Sequence, residues 1–458
     1  MRVAQTVDVV VIGMGPGGEA VASRLAAAGL DVVGVDVRLL GGECPYYGCI
    51  PSKMIVRGAD VLAEGRRIPQ LAGDATVRAD YGPVADRIRT EATDDWNDQV
   101  AVDRFVEQGG RFLRGRGRLT GPHTVTVSIN ETGEQVELTA RKAIVLNTGT
   151  DPAVPPIPGL ADTPFWTNRD ILAIEKRPES LIVLGGGAIG CELAQGFSRF
   201  GTRVSVVGSA PRLMAYEEPE SSALIEAVFG AEGIEVYTGV QASNVGYDGM
   251  FTVDFDGGQV QAEHLLVSAG RRSTVGQLGV DAIGLDPSAG SLATDDQLRV
   301  ADGVWAIGDI TGHGAFTHVS MYQATIATRS ILGEPGHGAE YHAVPRVTFT
   351  DPEIGSVGMS EARARDAGLT VRVGVGQVPD STRGWIHKAG NHGFVKLVED
   401  SRRGVLVGAT SAGPTGGEVL SSLVVAVHAA VPTERLRQMI YAYPTFHRTI
   451  ELALADLH

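Results

Sequence analysis

One local pattern occurs twice in this chain, and it decides most of what the chain can fold into. Val7-Asp8-Val9-Val10-Val11-Ile12 is short, β-branched and nearly all apolar, as a strand buried on both faces of a parallel sheet must be. Gly13–Gly18 follows as a turn, Glu19–Ala28 as an Ala-rich helix stopped by Gly29, and Val32–Val37 as a second strand. The pattern returns about 170 residues later: strand Ser180–Leu184, turn Gly185–Gly190, helix Cys191–Phe200, stop at Gly201 and strand Thr202–Val207. Parallel strands need a crossover between them, so each copy is a βαβ unit. The expected class is α/β, with two Rossmann-like nucleotide-binding domains.

The chain has 458 residues, too many for one core, so several domains are expected. Asp60–Gln108 is charged and helical in character. Arg116–Leu138 alternates as a small β-meander would, and Asp151–Pro158, with four prolines, reads as a connection. From about Tyr341 strands and amphipathic helices alternate, as in a separate α+β domain. Lys and Arg total 39 against 54 Asp and Glu, with no dense basic run, so neither nucleic acid nor an acidic membrane is an expected partner. The 3 cysteines are too few for a secreted disulfide framework. No apolar run approaches the ~18 residues of a membrane span, and the first apolar stretch is too short for a signal peptide. The expected location is the cytoplasm.

Gly13-Met14-Gly15-Pro16-Gly17-Gly18 fits G-x-G-x-x-G between strand and helix. Gly13 allows the tight turn, Gly15 lets backbone approach a pyrophosphate, and Gly18 lets helix pack on strand. Asp36 ends the second strand, where a carboxylate accepts from a ribose hydroxyl. Alone, such a motif is weak and could be an ordinary glycine turn. In the second copy Gly185, Gly187, Ile189 and Gly190 repeat the spacing, but the next strand ends Val207-Gly208-Ser209, without a carboxylate. An acid there would repel a 2′-phosphate. Its absence, with Ser209 and Arg212 nearby, points to NADPH over NADH, unless Arg212 is simply a solvated surface residue.

The stretch Gly41-Gly42-Glu43-Cys44-Pro45-Tyr46-Tyr47-Gly48-Cys49-Ile50-Pro51-Ser52-Lys53 is the most informative. Two cysteines, four residues between them, open a segment expected to become helical. A helix N-terminus stabilises a thiolate, as redox chemistry requires. Half a zinc site or two buried structural cysteines are the alternatives; the third cysteine, Cys191, lies inside the second nucleotide motif.

Across essentially its whole length the chain resembles the class I pyridine nucleotide-disulfide oxidoreductases, which include dihydrolipoamide dehydrogenase, glutathione reductase and mercuric reductase. Gly41–Lys53 matches their G-G-x-C-x-x-x-x-C-x-P-S-K motif. Asn147-Thr148-Gly149, Gly185–Glu192, Ala269-Gly270-Arg271, Val304–Asp309 and Phe349–Glu353 look like further family motifs. The resemblance implies FAD and NADPH (or NADH) as cofactors, a homodimer and a small-molecule electron acceptor. It implies an FAD domain at 1–150 and 271–340, an NAD(P) domain at 151–270 and a C-terminal α+β dimerisation domain at 341–458. Cys49 would be the charge-transfer thiolate beside the flavin and Cys44 the thiol facing substrate. Lys53 would pair with Glu192 beside the flavin, and Asp309 would bind the ribityl chain. Gly42, Gly117, Thr148, Gly149 and Gly270 fall in cofactor-binding stretches. His318 occupies the position of a family histidine beside the flavin domain, where a structural role is the better reading.

One motif departs from the family. Where its C-terminal motif reads H-P-T-x-S-E, this chain has Tyr443-Pro444-Thr445-Phe446-His447-Arg448. Histidine, ordinarily at pKa ≈ 6.5, can shuttle a proton between thiols near neutral pH; tyrosine, ordinarily at ≈ 10, mainly donates a hydrogen bond. Poor turnover with lipoamide or glutathione disulfide is therefore expected. Mercuric reductases resemble this chain in carrying tyrosine there, but they end in a cysteine pair, whereas this chain ends Ala453-Leu454-Ala455-Asp456-Leu457-His458. His447 is a candidate replacement base or an interface residue. Trp385, His387 and His392 sit on a hairpin-like segment that suits a dimer surface. The expected activity is NAD(P)H oxidation via FAD and Cys44–Cys49 onto a disulfide or thiol-type acceptor. Its rivals are a metal-ion or quinone reductase and a low-turnover flavin-binding redox sensor. No resident metal is expected.

Overall fold

The first glycine turn is tighter than its sequence pattern suggests. In the computed structural model, which describes residues 3–458, strand β1 (Val3–Ile12) is followed almost at once by helix α1 (Pro16–Ala27). Pro16 supplies the fixed φ of a first helical residue, so Pro16, Gly17 and Gly18 belong to the helix. Gly29, at φ 84°, turns the chain out, and β2 (Val32–Asp36) lies parallel to β1. The redox segment forms a short helix, α2 (Glu43–Tyr47), and then the long α3 (Cys49–Leu71). The charged region beyond is only partly helical: α4 (Gly82–Arg87) and α5 (Gln99–Glu107) flank a π-helical turn at Ile88–Ala92 and an irregular loop.

The expected meander is present as β3 (Arg111–Gly121), β4 (Thr124–Ile129) and β5 (Gln135–Leu146), but it is not a separate sheet. β3 starts parallel to β2 and ends antiparallel to β4. β5 lies antiparallel to β4 on one edge at its start and parallel to β1 on the other edge from Val136 to Leu146, so the five strands close on themselves. Long strands that take two partners make this possible, and the alternating pattern disclosed only one partner. Val10, Ile12, Val35, Leu119, Val127 and Leu146 fill one face. On the other, Val21 and Leu25 of α1 pack with Ala324 and Ala327.

β6 (Thr150–Pro152), at the proline-rich connection, pairs antiparallel with Arg271–Ser273, where the chain returns. Between them lie α6 (Asn168–Ile171) and the second βαβ unit: β7 (Ser180–Leu184), α7 (Ala188–Arg199) and β8 (Arg203–Gly208). It belongs to a four-stranded parallel sheet with Glu235–Thr238 and His264–Val267 at its edges. Residues 345–413 form a five-stranded antiparallel sheet, packed against helices Gly416–His428 and Thr449–Ala455. Trp385 and His387 lie on a helix, Thr382–His387, rather than on the hairpin their spacing suggested.

Contacts group the chain into two units. One holds residues through Pro51 with Asp86–Ala153 and Arg271–Glu340; the other holds Ser52–Ala85, Val154–Gly270 and Tyr341–His458. Buried charge ties the second unit together, and the sequence reading missed it. Arg199, 3% exposed, bonds Asp60 at 2.8 Å, Glu232 at 2.6 Å and Asp351 at 2.8 Å. Arg67 joins at Asp351, at 2.6 Å, so three carboxylates face two guanidiniums there. Burial pushes the Asp60 carboxyl up to about 6, against the pull of Arg199 and with help from Asp351 and Glu353. A carboxyl raised on folding contributes stability below its unfolded value, about pH 4, and loses it as pH rises through 6. Asp60→Asn should therefore melt with the parent near pH 4 and at higher temperature than the parent above pH 6. Thermal melts from pH 4 to pH 8 check this; a gap that does not change with pH rejects it.

Candidate functional site

The first glycine turn is built for close approach. At Gly13, φ 94°, a Cβ would stand 2.3 Å from the Asn147 carbonyl oxygen; at Gly18 it would stand 2.0 Å from that of Gly13. Gly15 caps α1 without a side-chain bond, so no side chain of the cap competes for the first N–H groups, which suit an anion. Asp36 accepts from the N–H groups of Met14 at 2.7 Å and Arg38 at 2.8 Å. Burial nevertheless pushes its carboxyl up. These features fit an FAD diphosphate and ribose. Asn147 Nδ2 donates to the Gly13 carbonyl at 3.1 Å, and Thr148 meets Thr274 at 2.7 Å. Gly149, at φ 65°, has open space where a Cβ would be. Asp309 accepts from Thr150 at 2.8 Å, and Thr150 in turn accepts from Arg271. At Gly117 a Cβ would meet Ile12 at 3.1 Å and Val35 at 3.3 Å inside the strand ring, so strand packing alone already leaves little room for a side chain there.

The cysteine segment packs directly on this turn. A Cβ at Gly42 would lie 2.7 Å from the Cα of Gly15, and Gly41 N–H donates to the Met14 carbonyl at 2.8 Å. Cys44 is half-buried within α2; Cys49 is exposed and opens α3. The Cys49 sulfur lies 3.5 Å from the Thr317 hydroxyl. Thr317 is the first residue of the helix Thr317–Leu332, so a second helix N-terminus favours negative charge on this sulfur. Its partner in sequence, His318, is exposed and stacks on Phe316 at 5.1 Å.

In the second unit Lys53 Nζ meets Glu192 Oε2 at 2.7 Å. Glu192, 5% exposed, also accepts from the Phe349 N–H at 2.8 Å, and the Lys53 ammonium lies 4.7 Å over the Phe349 ring. The carboxylate is thus held at both oxygens, and it holds the ammonium in turn.

The second glycine turn repeats the first. At Gly185, φ 120°, a Cβ would stand 2.4 Å from the Ser268 carbonyl oxygen; at Gly190 it would stand 2.1 Å from that of Gly185. Gly187 caps α7 without a side-chain bond and has open space around it, and Ile189 is 40% exposed. Gly270, φ 123°, is likewise open. Ser209 is exposed beyond β8. Arg212 is not a free phosphate ligand: its guanidinium donates to Ser222 and to the carbonyls of Met214, Ala215 and Glu217, drawing the loop around itself. The expected NADPH preference then rests on Ser209 and on the missing carboxylate.

Tyr443 is 63% exposed, with the Arg448 guanidinium 4.9 Å from its ring centre. His447 is half-buried, 5.8 Å from the Tyr441 ring. Sequence reasoning missed Thr317, Thr150, Phe349 and the Arg199 cluster. Phe349 and Asp351 lie in the recognised stretch Phe349–Glu353, but their partners, Glu192 and Arg199, are more than 150 positions away, and Thr317 and Thr150 likewise act on distant partners that no spacing reports.

Models of known families match nearly the whole chain. The pyridine nucleotide-disulphide oxidoreductase model covers residues 7–328, and its dimerisation-domain counterpart covers 344–454. A mercuric reductase of Acidithiobacillus ferrooxidans is 32% identical over 98% of this chain and 82% of its own length. A dihydrolipoyl dehydrogenase of Chlorobaculum tepidum is 33% identical over 98% and 96%. Among solved structures, LpdA of Mycobacterium tuberculosis aligns with TM-score 0.85 and 25% identity over 98% of this chain and 99% of that one. A Cu(II) complex of the HOCl-induced flavoprotein disulfide reductase RclA from Escherichia coli aligns with TM-score 0.86 at 24% identity over 98% and 99%.

Proposed function

Because the chain belongs to the pyridine nucleotide-disulphide oxidoreductase family, a family of flavoproteins that use FAD and NAD(P)H, we propose that it passes electrons from NADPH to Cys44–Cys49 and on to a small disulfide-type acceptor. The observation that carries this reading is the setting of Cys49, at the head of one helix and 3.5 Å from the first side chain of another. FAD, when bound, supplies the two-electron carrier between nicotinamide and sulfur. Gly13, Gly15 and the first turn of α1 would hold its diphosphate, and Asp309 its ribityl chain. Lys53, oriented by Glu192, sets a positive charge one helical turn beyond Cys49. Two electrons and one proton open the disulfide to a Cys49 thiolate and a Cys44 thiol. The Cys44 sulfur, deprotonated, attacks the acceptor and expels one thiolate. Cys49 then attacks Cys44, restores the internal disulfide and expels the second thiolate.

The acceptor we favour is a disulfide with acidic leaving thiols, since such thiols depart without the proton that a histidine would deliver. A second reading, a thiophilic metal ion, is favoured by Tyr443, because transfer to a metal needs no proton shuttle. Several mercuric reductases are among the chain's relatives. We further propose a homodimer formed through residues 344–454, which match the dimerisation domain, and a cytoplasmic location. No helix among the described residues is long and apolar enough to cross a membrane.

An acceptor screen at fixed NADPH, covering aryl and alkyl disulfides, Hg(II), Cu(II) and quinones, tests the reading. Aryl disulfides should turn over fastest; quinone reduction alone rejects the disulfide route. In the same assay kcat/KM should favour NADPH over NADH by roughly tenfold, about 1.4 kcal/mol of differential binding. A clear NADH preference rejects that assignment.

A further inference from the structure

Between Thr93 and Asp98 the backbone turns left-handed at three consecutive residues that are not glycine. Asp94, Asp95 and Trp96 have φ of 47°, 57° and 55°. Aspartate tolerates this region through its short polar side chain; a bulky indole does not favour it. The flanks hold the turn in place. Thr93, 1% exposed, donates its hydroxyl to the Ile88 carbonyl at 3.0 Å and accepts from the Trp96 N–H at 3.4 Å. Asp95 N–H donates to the Arg89 carbonyl at 2.7 Å. Asp98 is gripped by Arg114 at 2.7 and 2.8 Å. Strain of this kind persists where the surroundings over-determine it, and it clusters at functional positions.

What the turn achieves is a hold on the cysteine segment. The Trp96 indole N–H donates to the carbonyl of Tyr46 at 3.2 Å. Tyr46 lies between the two cysteines, at the buried side of α2. Asp98 accepts from the N–H of Leu40 at 2.5 Å, just before Gly41. One loop therefore grips the chain on both sides of Cys44.

We propose that Trp96 is a positioning residue for the cysteine pair, setting its dithiol–disulfide equilibrium by fixing the Tyr46 carbonyl. The inference rests on Cys44–Cys49 being the redox pair. Opening the S–S bond takes up two electrons and one proton to give one thiolate and one thiol; closing it returns them. Sulfurs held near each other meet at higher effective concentration, which favours the closed disulfide. Without the indole N–H the segment loosens and the equilibrium moves toward the dithiol.

The test equilibrates FAD-loaded parent, Trp96→Phe and Thr93→Val in anaerobic glutathione buffers of graded GSH/GSSG ratio. Thiols are then alkylated and the Cys44–Cys49 disulfide is counted by mass. Trp96→Phe keeps an aromatic ring and loses the donor; Thr93→Val keeps the indole and removes the hydroxyl that holds the turn. In both, the equilibrium constant for disulfide formation should fall about fivefold, the effect of one hydrogen bond. By the two-electron relation that is a midpoint about 20 mV less negative. A role confined to folding would lower Tm and leave the midpoint unmoved. Parental midpoints in both variants overturn the inference. A parent pair that forms no disulfide at any glutathione ratio overturns the redox reading itself.

Discussion

Cys44→Ser is expected to lose NADPH-linked reduction of disulfides by at least about 10³-fold in kcat, because the nucleophile that opens the acceptor is gone. Cys49 remains, and so do both glycine cradles and the Lys53–Glu192 pair at 2.7 Å. Hydride uptake from NADPH should therefore proceed at the parental rate in stopped-flow absorbance. The two readouts separate the competing routes. If electrons leave directly from the flavin to a quinone or metal ion, steady-state turnover with that acceptor survives the substitution. Disulfide turnover within tenfold of the parent would sink the proposed route.

The second large effect is a gain. Tyr443→His combined with Arg448→Glu should raise turnover of lipoamide or glutathione disulfide by about 10²-fold, the lower end of what general acid–base catalysis supplies. Tyr443 is 63% exposed, so its replacement disturbs no core, and Arg448→Glu gives up only the half-buried ion pair with Glu451. Tyr443→His alone should give less, since the Arg448 guanidinium, 4.9 Å from the present ring, opposes a neighbouring imidazolium. A carboxylate at 448 would orient the imidazole and favour its protonated form. The gain should bring a new ionisation between about pH 6 and pH 7 into the kcat/KM profile, as an added histidine must. A flat profile with no gain would mean that the route of the proton lies elsewhere.

Much of this molecule was legible in its sequence, and the reasons are local. Val7–Ile12 and Ser180–Leu184 announced buried strands because every residue in them but Asp8 is buried. The cysteine segment was recognisable by the spacing of Gly41, Gly42, Cys44, Cys49 and Lys53, and Gly42 has no room for a side chain against Gly15. What stayed hidden was relational. Nothing in Arg116–Leu138 signalled that β5 would lie along β1 from Val136 onward and extend to Leu146. Arg212 looked like a phosphate ligand because of its place after β8; that its guanidinium turns back onto Ser222 and three carbonyls depends on loop geometry that no spacing encodes. Asp60 and Asp351 stand 291 positions apart in the chain, and only folding brings both to Arg199.

The split origin of the first unit bears on the order in which the protein is made. Its strand ring is complete once Leu146 has been synthesised, yet the carboxylate of Asp309 and the helix that carries Thr317 come more than 160 residues later. The parallel sheet of residues 180–267 is translated in that interval and can fold first, since domains generally fold as units during synthesis. A nascent chain thus exposes a finished diphosphate turn long before it can grip the rest of the dinucleotide. On the proposed role of Asp309, flavin capture is completed late in synthesis, and a chain truncated before Asp309 would keep both glycine turns but should hold FAD more weakly than the full chain.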